Sequence, residues 1–458
     1  MFYFMLSAFL VITVFCLLGV ISSGKVKNTS DYAIAGRKAG AGTVVGVIMG
    51  ALVGGGSTVG TVQMSYQWGL SAWWFTLGSG IGCAILAFRF AVPMRRGGTV
   101  TLPELIERNY GLPVTILTLT GSISGTLFAV IAQFIAGTAL IRSVLPLTPG
   151  AAILSLSMMI VFFIFFGGLK SFSVVGNVKT AILYLMVALC TARAAYLGQG
   201  PLRLIRELPF SPWWNLFARG QQDAGAGLSV MLGILCTQIY VQGIFAASDD
   251  RTAKKGCILA AILIPPLGLS CVWIGLAMRN MGIVVEPAQA LPYFLKTYFH
   301  PSLGGAFWAG LVITAIGGAS GLCLGIATNL SRDIYARIPG VNRDDRAMLR
   351  FSRFAVLLTV AVSAWLANIF LESPILQLSY LSMGLRVAGM IIPLTLAIFK
   401  PKIMSPKLAC ASSIAGFGGM LVTLIFFPDK EPLFVGLIAS GACIAPLLLK
   451  TRLNRNSK

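Results

Sequence analysis

The chain has 458 residues, is 57% hydrophobic and only 11% charged, and carries a formal net charge of +21. A chain this apolar takes the bilayer as its solvent, which excludes an ordinary soluble enzyme or binding module. The positive charge would suggest nucleic acid in a soluble protein; here it is read as basic loops on the cytoplasmic face of a membrane, with no nucleic-acid partner.

A hydrocarbon core about 30 Å thick needs roughly 20 apolar residues per helix. Long continuous apolar runs favour helices over barrel strands, so the fold class is an all-α polytopic membrane protein. About thirteen spans are expected, at 1–22, 41–66, 70–94, 112–141, 151–168, 173–197, 224–247, 256–280, 303–331, 351–371, 374–399, 405–427 and 431–449. The first has no small-residue cleavage site before its polar flank and is read as a retained helix, not a signal peptide. The second, "GTVVGVIMGALVGGGSTVGTVQMSYQWG", is interrupted by Gly54, Gly55, Gly56 and Gly60. Each glycine costs about 1 kcal/mol against alanine in a helix interior. The run has two readings. It is an unwound segment whose freed backbone groups hold ions or a solute, or a close helix contact through small residues. Between the sixth and seventh spans, "PLRLIRELPFSPWWNLF" carries tryptophans suited to a membrane interface.

With the N-terminus outside and the C-terminus inside, the cytoplasmic loops and tail hold 24 of the Lys and Arg residues and the outer loops hold 7. That asymmetry sets the expected orientation. Arg89, Lys179, Arg193 and Arg386 remain inside spans. All 14 acidic residues lie in loops or at span ends, and the single histidine, His300, sits in an outer loop without an obvious partner. An enzymatic acid–base pair, a metal cluster and a carboxylate proton relay are therefore not expected. The nine cysteines lack CxxC spacing and are read as small core residues.

Several stretches carry a resemblance: "SDYAIAGR" before the interrupted span, "YQWG" after it, "TLPELIERNYG" at 101–111, "GGLKS" at 167–171, "TQIYVQGIFAASDDRTAKKG" at 237–256 and "SRDIYAR" at 331–337. In this order and spacing they resemble the sodium:solute symporter family. The resemblance implies a LeuT-type core of two inverted five-helix repeats, 41–197 and 224–399. One extra helix, 1–22, would precede the core and two, 405–449, would follow it. It also implies a solute site between two broken helices, alternating access, and a bacterial inner-membrane location. A membrane-embedded solute sensor is the alternative from another class; no output domain is read after residue 449.

In the family, one sodium ion sits between the first and eighth core helices, held by backbone carbonyls and two adjacent hydroxyls. Carried over by position, the carbonyls fall on Gly50 and Val53, and the eighth-helix positions on Thr314, Gly317 and Gly318. The paired hydroxyls are thus replaced by glycines. Thr314 and Ser320 could each offer an oxygen if the geometry shifted. The family's aspartate position after "GGLK" falls on Gly176 and its glutamine position on Lys179. Lys179 lies about 9 Å into its span at 1.5 Å per residue. Two readings follow: the ammonium replaces the ion among the carbonyls, or it snorkels to the cytoplasmic surface beside a degenerate site. In the first, sodium is not the coupling ion and no cofactor is required, and a buried lysine that exchanges its proton would couple transport to the proton gradient.

The solute-site positions implied by the resemblance are Gly55, Gly56, Ser57, Thr58, Thr76 and Ser79, with Gln133, Gln238 and Tyr240 as further polar groups on lining helices. These small side chains argue against a sugar and suit a small organic acid or amino acid. Arg386, mid-span, either binds a solute carboxylate through its planar fork or caps an unwound segment. The sequence sets neither the solute's identity nor an oligomeric state.

Overall fold

The computed structural model describes residues 1–22, 33–165, 168–198, 200–341, 344–401 and 403–456. Residues 30–32 of "SDYAIAGR", Gly167 of "GGLKS", and the loop and tail cations Lys25, Lys27, Arg343, Lys402 and Lys458 lie outside the described residues. Among the described residues the chain is helical, and one isolated parallel bridge pairs Ala39 with Ala247. Among the described residues ten helical stretches are long and apolar enough to cross a membrane, and three shorter apolar helices, Ala41–Leu52, Pro149–Ile164 and Pro432–Ala445, accompany them. Length and composition alone do not convert these into a count of thirteen crossings.

The fold opens with α1 (Phe2–Ser22), which packs outside the core against α11 (Pro301–Asn329), where the Phe4 and Trp308 rings lie 6.1 Å apart. The interrupted span is two helices. α2 (Ala41–Leu52) stops where Val53 leaves helical geometry at φ −78°, ψ 84°, and the chain resumes through a π-turn, Gly56–Gly60, into α3 (Thr61–Trp68). α4 (Trp74–Ile85), α5 (Leu112–Val144), α6 (Pro149–Phe165) and α7 (Gly168–Leu197) follow. A second interruption separates α8 (Gln221–Gly233) from α9 (Gln238–Ala246), with Thr237 extended at φ −102°, ψ 116°.

α10 (Asp250–Asn280) lies along α4, and the Trp73 indole N–H donates to the Pro265 carbonyl at 2.9 Å. The interior Pro265 and Pro266 lack the N–H groups that would donate to the Ala261 and Ile262 carbonyls one turn earlier. α11 is the central pillar: its apolar window is buried throughout, and its run of small residues lets neighbours approach closely. His300, for which no partner was expected, caps α11, its Nδ1 accepting the Ser302 N–H at 3.4 Å. α12 (Asp345–Ile369) packs on α6 and α11, and α13 (Ile375–Phe399) on α5. α14 (Pro406–Phe426) and α15 (Pro432–Asn456) form a hairpin against α13, joined by a Ser412–Ser440 hydroxyl pair at 2.8 Å.

The cation-rich ends of the two interrupted helices are tied together. Ala39 N–H donates to the Ala246 carbonyl and Ser248 N–H to the Ala39 carbonyl, both at 3.0 Å. Beside them Asp250 pairs with Arg95 at 2.9 Å and Arg96 at 2.7 Å.

Candidate functional site

At the first interruption the freed carbonyl of Gly54 accepts two hydroxyls of its own chain, Ser57 at 3.0 Å and Thr58 at 2.9 Å. The next backbone group, the Gly55 N–H, donates to the Gln133 carboxamide oxygen of α5 at 2.6 Å. One turn earlier, the Lys179 ammonium of α7 donates to the Gly50 carbonyl at 2.6 Å. Lys179 is only 2% exposed, so its side chain does not run to the membrane surface and the snorkelling reading does not describe it.

Glycines make this geometry available. A Cβ built on Gly317 would lie 2.8 Å from the Lys179 nitrogen, and one on Gly318 would lie 3.0 Å from the Gln133 carboxamide. The space that two hydroxyl side chains would need is therefore filled by the ends of Lys179 and Gln133. A Cβ on Gly54 would meet the same carboxamide oxygen at 2.5 Å. Gly176 is a contact rather than a vacancy. A Cβ there would meet the Gly46 carbonyl at 2.5 Å and the Gly50 Cα at 3.0 Å. The glycine-on-glycine crossing of α2 and α7 is what lets Lys179 reach Gly50. The sequence held a signal for it, Gly42, Gly46 and Gly50 at four-residue spacing. Of the other ion-site positions, Thr314 donates back to Gly310 at 2.7 Å, and the Ser320 hydroxyl is buried without a partner.

The second interruption is met by Arg386 of α13, 1% exposed. Its guanidinium donates to the Thr237 hydroxyl at 2.5 Å, to the Ser382 hydroxyl at 2.5 Å and to the Ser382 carbonyl at 3.0 Å. Gly125 of α5 leaves it room: a Cβ there would lie 2.8 Å from the Arg386 Cγ. Neither Thr237 nor Ser382 was singled out from sequence.

The remaining candidates divide. Gly56 lies beside Ser379 and Phe75 of the opposing helices, its built Cβ 3.2 Å and 3.7 Å from them, so it faces the gap between the interrupted helix, α4 and α13. Tyr240 is buried. Ser79 bonds its own helix at Phe75, 2.6 Å, and Thr76 turns towards α10, where Gly268 lies against its hydroxyl. Gln238 clips a loop instead of lining a solute path: its oxygen accepts the Leu102 N–H and its nitrogen donates to the Val100 carbonyl, each at 3.0 Å. A primary amide offers a donor and an acceptor side by side, which matches the Val100 carbonyl and Leu102 N–H of one backbone segment. Among the described residues no group of three His, Cys, Asp or Glu side chains could hold a metal ion.

The model of the sodium:solute symporter family matches residues 32–207 and 212–416. Sodium/proline symporter 2 of Staphylococcus saprophyticus is 24% identical over 375 residues, covering 74% of this chain and 70% of that protein. A solved Na+-coupled sialic acid symporter, in a substrate-bound outward-open state, superposes with a TM-score of 0.80 at 15% identity over 98% of both chains. A nucleobase-cation-symport-1 family transporter in a closed conformation superposes with a TM-score of 0.60 at 11% identity over 93% of this chain and 96% of that one. At these identities the structural likenesses speak to the fold, which is of the LeuT type.

Proposed function

The chain belongs to the sodium:solute symporter family and is a multi-pass membrane transporter of solutes rather than an enzyme, and from that premise we propose that it works without sodium, with the Lys179 ammonium in the place of the ion. The observation that carries this reading is the 2.6 Å bond from Lys179 to the Gly50 carbonyl, with Gly317 leaving the space for it. A charged donor of this kind contributes about 1.5–3 kcal/mol; it links the first interrupted helix to α7, and the ammonium lies beside Gly317 of α11, the helix to which the family's ion joins the first. Hydroxyls at 317 and 318 cannot share the site with Lys179 and Gln133 in their present positions, so two hydroxyl ligands and the lysine are alternative solutions.

In this reading the halves 41–197 and 224–399 move against each other around the two interruptions, with 1–22 and 405–449 as additions to the core. The membrane is a bacterial inner membrane, with the C-terminus and the cation-rich loops in the cytoplasm. The solute is a small organic acid or amino-acid-like molecule. Ser57, Thr58 and the small residues around Gly56 support that size, and the proline-transporting relative supports the class.

The test is uptake into proteoliposomes with choline in place of sodium. Uptake is expected to be unchanged; a saturable, several-fold stimulation by sodium sinks the reading. A second reading, a conventional sodium symporter with a rebuilt site, is favoured by one observation, the buried and unpartnered Ser320 hydroxyl. Under it Ser320→Ala abolishes sodium stimulation; under the first it leaves uptake within about twofold, as expected for loss of a hydroxyl that makes no bond. Thermal-shift screening of small carboxylates, amino acids and nucleobases identifies the solute. Tight binding without accumulation would point to a sensor.

A further inference from the structure

A chain of bonds draws three segments together at the cation-rich end of the molecule. From α9, the Gln242 carboxamide nitrogen donates to the Thr328 hydroxyl of α11 at 3.2 Å and to the Ala33 carbonyl. One turn back on the same face of α9, Gln238 clips Val100 and Leu102. Between those two residues, the Thr101 hydroxyl donates to Asp333 Oδ1 at 2.8 Å. Asp333 follows α11 in a π-turn, Leu330–Ile334, whose wider repeat brings it back beneath Thr328. The bonds close a ring: Gln242 to Thr328, along α11 to Asp333, across to Thr101 and Leu102, then to Gln238 and one turn along α9 to Gln242. A helical turn rises about 5.4 Å, the scale of a small ion with its oxygen ligands.

Three oxygens on and beside this ring are short of donors. Asp333 Oδ2, Gln242 Oε1 and Asn329 Oδ1 are buried and have no hydrogen-bond partner among the described residues. Buried polar groups are nearly always paired, so three orphan acceptors in one place point to a ligand. Its charge follows from the neighbours. The charged groups acting on Asp333 are Arg337, Glu104 and Glu107. Glu107 pairs with Arg337, which reaches Asp333 only at 3.8 Å, and Glu104 pairs with Arg108 at 2.8 Å. Arg37, also at this segment, donates to the Gly98 and Thr99 carbonyls. One negative charge is left over, on an Asp333 side chain 1% exposed, and a buried carboxylate without a partner is costly. A proton on Asp333 would cancel that charge but offer one donor to three acceptors. A cation engages all three together.

We propose that this ring binds a dehydrated monovalent cation, Na+ or K+, through Asp333 Oδ2 and the carboxamide oxygens of Gln242 and Asn329. One carboxylate among neutral oxygens balances a single positive charge, not two. The ion joins α9 to the end of α11 and, through Thr101, to the short helix Leu102–Tyr110. The site stands apart from the α2–α7 crossing that holds Lys179, and it does not depend on how transport is coupled.

The full-length protein is purified in detergent with choline chloride, and its melting temperature is followed as NaCl or KCl replaces choline, with MgCl2 as the divalent comparison. Ionic strength is held constant, which keeps screening fixed. Na+ or K+ is expected to raise the melting temperature by a few degrees and to saturate. Asp333→Asn keeps an acceptor for Thr101 and removes the charge. It should melt in choline at least as high as wild type and show no saturable rise. Asn329→Ala should move saturation to a severalfold higher concentration. A wild-type titration without saturation overturns the site, and saturation by Mg2+ alone overturns the monovalent assignment. Unchanged saturation in Asn329→Ala overturns the ligand set. A saturable rise that survives Asp333→Asn overturns the site as well; if sodium causes it, the ion lies at the first interruption and the sodium-free reading of transport fails separately. Because the wild-type titration alone can refute the site, a variant that does not fold cannot shield it.

Discussion

The two interrupted helices are each met by a buried cation lodged against a glycine: Lys179 at Gly317 and Arg386 at Gly125. None of the ion pairs among the described residues involves either one. The resemblance ends there. Arg386 is held by three bonds, two of them to Ser382 one turn back on its own helix, and it cannot lose its proton. Lys179 makes a bond to a carbonyl of another helix through a flexible stem, and lysine can exchange its proton when buried. The bonding supports Arg386 as a brace and, under the proposed function, Lys179 as a switch. A buried charge mid-membrane is therefore not one kind of feature: the number and origin of its hydrogen bonds separate structure from mechanism.

The largest expected effect separates the two directly. Lys179→Ala removes the charged bond to Gly50, and uptake should fall by roughly 10- to 100-fold, the equivalent of about 1.5–3 kcal/mol. The fall should be the same with or without sodium. Uptake near wild type would make Lys179 a brace like Arg386. Next is Gly176→Asp, which restores the family's aspartate but drives a Cβ into the Gly46 carbonyl. Overpacking of this kind costs about 1–3 kcal/mol, read as a lowered melting temperature in detergent; unchanged melting would show that α2 and α7 separate easily.

Arg386→Lys keeps charge and loses the fork. Stability should fall by about 1–2 kcal/mol through lost bonds to Thr237 and Ser382, with solute affinity changed less. The opposite pattern, intact melting and lost affinity, would place Arg386 on the solute. Gln133→Ala leaves the Gly55 N–H without its partner and should cost about 1 kcal/mol, with Gln133→Glu, which keeps an acceptor, closer to wild type in melting.

The smallest effect lies away from both interruptions. Glu431 has its carboxyl raised from 4.5 to about 7 by burial. Its protonated form is favoured in the fold, so its contribution is full below the unfolded value and is lost as pH rises through about 7. Glu431→Gln should melt like wild type at pH 5 and slightly higher at pH 8; an identical pH profile for both proteins would show that the carboxyl is solvated.

Much of this was legible before any coordinates. Composition requires a membrane-spanning helical chain because an apolar surface of this extent has no other stable solvent. The glycine run at 54–56 offers an interruption or a close helix contact, and the order of the short motifs points to the family. Gly317, Gly318 and Lys179 together pose the question of the missing ion, since their residue types are visible without geometry. Gln238 shows the limit: its position on a lining helix is readable, but its two bonds to residues 100 and 102 are not.

Only the tertiary structure decides where a long side chain ends. Lys179 has enough reach to snorkel or to turn inward, and sequence cannot choose, because the choice depends on how closely α2, α7 and α11 cross. The Gly46–Gly176 contact brings the Gly50 carbonyl within 2.6 Å of the ammonium, and Gly317 supplies the room. The same holds for Arg386, whose partners Thr237 and Ser382 lie 149 and 4 residues away. Residue type sets which bonds are available; packing distance between helices, set by glycines on both sides of the α2–α7 crossing and by Gly125 beside Arg386, sets which of them form.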